Sequence, residues 1–128
     1  MKYLVDTHVL LWHALDDPRL SADTRRLLDD PAHQLMVSQA TLWELAIKTS
    51  TGELTLGVPF PRLETELLDN GFQILPYEFE HYKILVNLPP HHQDPFDRFL
   101  IAQSIAEGLT ILTHDERFLP YPARVELV

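Results

Sequence analysis

The sequence predicts an α/β fold with a mostly parallel central sheet and helices on both faces. Two observations carry this. Short apolar runs alternate with longer segments of helical periodicity along the whole chain, as expected when crossover helices cover a parallel sheet. The ten prolines fall between those segments, where they punctuate one unit (Pro18, Pro31, Pro59, Pro76, Pro89, Pro90 and Pro120 among them). The 128 residues suit a single domain spanning 1–128, and 45% apolar with 23% charged residues is globular usage that excludes disorder.

Tyr3-Leu4-Val5 is a short apolar run, read as a buried first strand ending at Asp6. Thr7 to Leu15 follows as a helix, its apolar positions including Val9, Leu10, Trp12 and Ala14. Ser21 is placed to cap a helix from Ala22 to Asp30, which Pro31 stops. Gln34 to Ser38 reads as the second strand. Ser38 then caps a helix running to about Thr51 and closed by Gly52. Pro61 to Asn70 reads as a helix ended by Gly71, Phe72 to Leu75 as the third strand, and Glu78 to Leu88 as a helix broken by Pro89-Pro90. Pro95 opens a helix through Glu107, stopped by Gly108. Leu109 to Thr113 is the fourth strand and Ala123 to Val128 the last.

Cysteine is absent, which excludes disulfides, thiol catalysis and zinc fingers and fits a reducing, cytoplasmic setting. The N-terminal apolar run is interrupted by Asp6, His8 and His13, unlike a signal peptide or a membrane span, so no membrane association is expected. Ten Lys and Arg face nineteen Asp and Glu, for a net charge of −9. A protein that coats nucleic acid carries the opposite sign. Any contact with nucleic acid must therefore be local, with something cancelling the negative field.

In open parallel sheets, ligands bind beyond the carboxyl ends of the strands. Asp6 ends the first strand, and Asp115 follows the fourth. Asp97 lies in the first turn of the helix leading into that strand, and Glu44 lies early in the helix after the second. Each has a bland role available. Asp6 could cap a helix, Asp115 could hold a turn, Asp97 suits a helix N-terminus, and Glu44 could pair with Lys48 at i+4. Asp94, before Pro95, reads as an N-cap. Together, however, such acids repel, and neutralising one of them, as in Asp115→Asn, is expected to relieve the fold. A hard divalent cation, Mg²⁺ or Mn²⁺, removes the repulsion and suits phosphoryl chemistry through an activated water. Setting aside Asp6, Glu44, Asp94, Asp97 and Asp115 takes the net charge from −9 to −4.

The segments MKYLVDTHVLLW, SQATLWELAIK, HHQDPFDRFLIAQS and LTILTHDERF, in that order and spacing, resemble a PIN-domain protein over essentially the whole chain. The resemblance is closest to the VapC toxins of type II toxin–antitoxin systems, in the subgroup carrying DPFDR. It implies a Rossmann-like PIN fold and a Mg²⁺- or Mn²⁺-dependent endoribonuclease that hydrolyses RNA phosphodiester bonds in tRNA, rRNA or mRNA by metal-activated water. The family's four acids fall on Asp6, Glu44, Asp97 and Asp115, which are thereby the implied catalytic and metal-binding residues. Asp94 is the subgroup's additional acid and a further metal candidate. The resemblance also implies homodimerisation and a small VapB-like antitoxin. Asn is common in the family where this chain has His8, so position 8 receives no assignment.

Thr7 and Thr113 adjoin proposed ligands and could orient a carboxylate or form local caps. Lys48, Arg98 and Arg117 are candidates for RNA phosphate contacts, although each could instead pair locally. His91, His92 and His114 lack the spacing of a helical zinc pair and read as solvated loop residues. Trp12, Trp43, Phe60, Phe79 and Tyr82 read mostly as core, with some available to line a partner groove. A receiver domain would carry an acid pair after the first strand and a Lys after a late one. An Asp-x-Asp phosphatase needs a second Asp where His8 stands. The remaining alternative is a catalytically inactive PIN domain acting as a binding module.

Overall fold

The computed structural model describes residues 1–128. Five strands form one sheet: β1 (Lys2–Val5), β2 (Gln34–Ser38), β3 (Phe72–Leu75), β4 (Thr110–Thr113) and β5 (Arg124–Leu127). Their order is β3-β2-β1-β4-β5, and every neighbouring pair is parallel. Six α-helices complete the fold: α1 (Thr7–Ala14), α2 (Ala22–Asp29), α3 (Gln39–Ser50), α4 (Leu63–Asp69), α5 (Phe79–Leu85) and α6 (Pro95–Glu107). The predicted α/β class and order of elements are therefore observed.

Strand alternation builds two cores. Tyr3 and Val5 of β1 face one side with Val9, Leu35, Val37, Leu45 and Phe72. Leu4 faces the other with Leu100, Ile101, Ile111 and Phe118. Covering both faces requires nearly continuous apolar strands, as in TILT of β4, all four residues of which are buried.

Local signals act as the sequence suggests at most termini. Ser21 Oγ accepts the Thr24 amide, and Ser38 Oγ accepts the Ala40 amide. Gly108 ends α6 in the left-handed region at φ +67°, where a side chain would be strained. Two helices are shorter than predicted by more than one residue. The Pro61–Asn70 segment divides into a 3₁₀ turn, Phe60–Arg62, and α4. The helix predicted from Glu78 to Leu88 runs from Phe79 to Leu85, with Glu78 at its N-cap, and Pro89 keeps Leu88 out of helical geometry.

The strand order fixes where a site can form. The chain builds β1, β2 and β3 toward one edge, then returns to place β4 on the other side of β1. The carboxyl ends of β1 and β4 thus flank the point where the winding reverses, which is where open α/β sheets bind ligands.

Candidate metal centre

Asp6 and Asp115 emerge at that point, one residue beyond β1 and two beyond β4. Asp6 occupies the N-cap position of α1, where its side chain makes no capping bond of normal geometry although the nearby His8 amide helps hold its carboxyl down. Instead, Thr113 Oγ1 donates to Asp6 Oδ2 at 2.6 Å and accepts the Asp115 amide at 3.0 Å. One hydroxyl therefore ties together the two strand-end acids. Asp6 is 2% exposed, and its Oδ1 is buried with no hydrogen-bond partner. Burial pushes the Asp6 carboxyl above its ordinary range, a rise the Thr113 bond opposes.

Glu44 comes from α3 and is 4% exposed. Thr7 Oγ1 donates to its Oε1 at 2.8 Å, with Thr41 Oγ1 3.3 Å from the same hydroxyl. Lys48 Nζ donates to its Oε2 at 2.8 Å, the i+4 pairing legible in the sequence. Asp94 caps α6: its Oδ1 accepts the amides of Phe96 at 2.9 Å and Asp97 at 3.1 Å. This cap turns the first turn of α6, with Asp97 on it, toward the other acids. Burial first, then the charges of Asp6, Asp94, Glu44 and Asp115, push the Asp97 carboxyl up to about 8.

Asp115 differs. Burial raises its carboxyl, but Arg117 and His92 outweigh burial and bring it to about 2. The Arg117 amide and Nε donate to Oδ1 at 2.9 and 3.0 Å, and Nη2 donates to Oδ2 at 2.9 Å. The expectation that neutralising Asp115 relieves the fold is thus corrected, since Asp115→Asn removes a satisfied anion rather than a repelled one.

His92 requires a further correction. It is fully buried rather than a solvated loop residue, because its ring turns inward between two carboxylates. Its Nε2 lies 3.0 Å from Asp115 Oδ2 and 3.1 Å from Asp97 Oδ2. His91 and His114 do remain exposed. Sequence reasoning missed His92 because its histidine-histidine-glutamine setting carries no periodicity that marks an inward face.

The basic candidates all have partners within the chain. Lys48 pairs with Glu44 and Arg117 with Asp115, both at the acidic site. Arg98 points elsewhere and donates to the carbonyls of Leu88, Pro89 and His92. The aromatic residues are also redistributed. Trp12 is buried, but Trp43, Phe60, Phe79 and Tyr82 are exposed rather than core. Trp43 and Tyr82 help line a groove of about 820 Å³ among α3, α5 and α6, with Tyr77, Leu85, Phe96 and Phe99.

The residues present fit a hard cation. The candidate donors are carboxylate oxygens: one from Asp97 and one from Asp115 lie within 4.8 Å of each other and of a His92 ring nitrogen, and Asp6 Oδ1 is a buried acceptor that hydrogen bonding leaves unsatisfied. A second cluster, Glu78, His81 and Glu107, lies near the start of α5 and the end of α6. There His81 Nδ1 accepts the Glu78 amide and Nε2 meets Glu107 Oε1 at 2.9 Å, a set of bonds complete within the chain.

This geometry agrees with family membership. The PIN domain family model matches residues 3–123, and the chain belongs to that family. Among solved structures, it is similar to VapBC2 from Rickettsia felis bound to a DNA fragment from their promoter. There the identity is 16%, coverage 99% of this chain and 98% of that one, and the TM-score 0.75. FitAcB from Neisseria gonorrhoeae aligns at 22% identity over 96% of this chain and 95% of that one, with a TM-score of 0.71. VapBC-1 from nontypeable Haemophilus influenzae aligns at 18% identity over 99% and 98%, with a TM-score of 0.65. At these identities the likeness establishes the shared fold. No curated protein matches the chain in sequence.

Proposed function

We propose that this PIN-domain chain is a divalent-metal-dependent endoribonuclease, the toxin component of a VapBC-type toxin–antitoxin pair. The observation that carries the reading is the convergence of Asp6, Glu44, Asp97 and Asp115 at the β1/β4 switch point, around a buried Asp6 oxygen with no partner. Bound there, Mg²⁺ or Mn²⁺ would supply a polarised water and offset the charge of an RNA phosphate.

The protein's part is to hold its donors still. Thr113 fixes Asp6 and Asp115 relative to each other, and Thr7 fixes Glu44. Asp94 acts as the α6 cap and adds negative charge beside Asp97. Lys48 and Arg117 sit at the edge of the cluster, where they temper its field toward an incoming phosphate. No helix is long and apolar enough to cross a membrane. A ribonuclease toxin works where its RNA substrates are, which puts the protein in the cytoplasm under this reading. A toxin–antitoxin complex from Klebsiella pneumoniae is among the structures this chain resembles, which supports a small VapB-like antitoxin as partner. The exposed aromatic groove offers apolar surface for that partner or for a second copy in a homodimer.

Induction of the chain alone in a bacterial host tests the reading. The wild type should arrest growth, and Asp6→Ala, Glu44→Ala, Asp97→Ala and Asp115→Ala should each relieve the arrest. The purified chain should cut structured RNA with Mg²⁺ or Mn²⁺ and stop on chelation. A folded, Mn²⁺-binding protein that cuts no cellular RNA would favour the inactive binding module.

A further inference from the structure

We propose that His92 is a positioning residue of the acidic site. Its Nε2–H group spaces Asp97 and Asp115 and so sets the geometry in which those carboxylates receive a cation. The proposal rests on the metal-dependent reading above and adds a residue that reading does not use.

The ring's orientation assigns its chemistry. His92 Nδ1 accepts the Asp94 amide at 3.2 Å, so the proton resides on Nε2. Nε2 then donates to Asp115 Oδ2 at 3.0 Å, with Asp97 Oδ2 alongside at 3.1 Å. Distances alone would allow His92, Asp97 and Asp115 to be a three-ligand set, since their donor atoms lie within 4.8 Å of one another. The tautomer argues against that. For Nε2 to ligate a cation, its proton would have to move to Nδ1, which would break the Asp94 amide bond. His92 therefore acts on the carboxylates and not on the cation.

The segment carrying His92 is held on all sides. The His92 amide donates to Tyr121 Oη at 2.7 Å, and that hydroxyl donates to the Pro89 carbonyl at 2.7 Å. Arg98 Nη1 reaches the carbonyls of Pro89 at 3.0 Å and His92 at 3.2 Å, while Nη2 reaches Leu88 at 3.3 Å. The imidazole meets the Phe118 ring edge-on, with centroids 5.3 Å apart. Arg98 and Tyr121 thus clamp a strap between α5 and α6, leaving the buried imidazole little freedom. Asp97 and Asp115 arrive on different elements, and His92 is the side chain that meets both.

The test uses the full chain and Mn²⁺ titration calorimetry. Gln can present an amide N–H near the Nε2 position, whereas Leu cannot donate. His92→Leu should weaken Mn²⁺ binding about tenfold, roughly 1.4 kcal/mol. His92→Gln should recover most of that loss, and kcat on RNA should fall more than KM rises in the Leu variant. Recovery by Gln separates donation from mere filling of space. Long-range ¹H–¹⁵N spectra of the wild type should show the Nε2–H tautomer with and without Mg²⁺, a readout independent of whether any variant folds. A switch to the Nδ1–H tautomer on adding Mg²⁺ would make His92 a ligand and overturn the proposal. Wild-type Mn²⁺ affinity in a folded His92→Leu would also overturn it. Asp97→Asn serves as the control: unchanged Mn²⁺ binding in that variant would sink the metal-site reading itself.

Discussion

Asp97 and Asp115 share one imidazole nitrogen at nearly equal distance, yet their carboxyls are pushed in opposite directions, to about 8 and about 2. Burial is the largest cause of the rise at Asp97, the less exposed of the two. Countercharge separates them further. Asp115 receives the guanidinium and amide of Arg117, whereas Asp97 has buried surroundings and four other acids near it. One corner of the site is neutralised by the protein's own cation, and in the metal-dependent reading the other would take its countercharge from a bound one. At neutral pH without metal, Asp97 mostly holds a proton. Cation binding must displace that proton, so the Asp97 corner should govern how binding responds to pH.

Removing that corner should produce the largest effect. Wild-type Mn²⁺ affinity should rise about tenfold per pH unit below pH 8, as expected when one proton leaves for each cation bound. Calorimetry in buffers of different ionisation enthalpy at pH 6.5 should report about one proton released from Asp97. Asp97→Asn should bind Mn²⁺ at least tenfold more weakly, about 1.4 kcal/mol, with most of the pH slope gone. A steep slope surviving in Asp97→Asn would transfer the proton to another group, with Asp6 the next choice because its carboxyl is also raised.

A smaller effect should appear in the stability of the metal-free protein. A carboxyl raised in the fold favours the folded state most at pH below its unfolded value, near 4. That stability is lost as pH rises, through the folded value of about 8 for Asp97. Metal-free melting temperature should therefore fall between pH 4 and 8. Asp97→Asn should flatten much of the fall and gain about 1 kcal/mol at pH 8, a few degrees for a chain of this size. Asp115→Asn should lose stability instead, because it removes the negative charge and one of the two oxygens to which Arg117 donates. If both variants gained stability alike, general repulsion would be the better account and the contrast between the two corners would fail.

This contrast also marks the limit of what the sequence discloses. The alternation of strands and helices, the caps at Ser21, Ser38 and Asp94, and the stops at Gly52 and Gly108 are local signals, and the fold follows them closely. That Asp6, Glu44 and Asp115 stand near enough for their charges to act on Asp97 was legible too, because strand ends and first helical turns have known places in a parallel sheet. Which acid has a countercharge was not, since that depends on where a side chain turns in three dimensions. Arg98 and Arg117 each stand two residues or fewer from an acid in sequence, yet Arg98 turns to backbone carbonyls and Arg117 to Asp115. His92 was hidden for the same reason. Its inward turn is set by Tyr121 and Arg98, far along the chain or on the next helix. Which of the aromatic residues line the groove rather than the core was not legible, because helical periodicity shows an apolar face without saying what covers it; Trp43 and Tyr82 prove to be groove residues.

Arg117 sharpens the comparison with the smallest effect. Its side chain is 67% exposed, so water and salt screen its charge, and losing it should alter stability little near neutral pH. Its local consequence is better defined. In Arg117→Ala, both Asp115 oxygens lose guanidinium donors, leaving the His92 bond and the backbone amide. The Asp115 carboxyl should then rise toward its ordinary value near 4. A carboxyl held low in the fold contributes stability above its unfolded value, and that contribution is lost as pH falls through the folded value, here about 2. The wild type should accordingly lose this contribution between about pH 4 and 2. The variant has little of it to lose, so its profile should be flatter there and match the wild type below about pH 2. Near neutral pH, a cation arriving at Asp115 would no longer compete with the guanidinium. Mn²⁺ affinity should increase about threefold at low ionic strength, with the gain fading in 1 M salt. Weaker Mn²⁺ binding in Arg117→Ala would mean that the guanidinium holds Asp115 in a receptive orientation, and would overturn the division into one neutralised and one open corner.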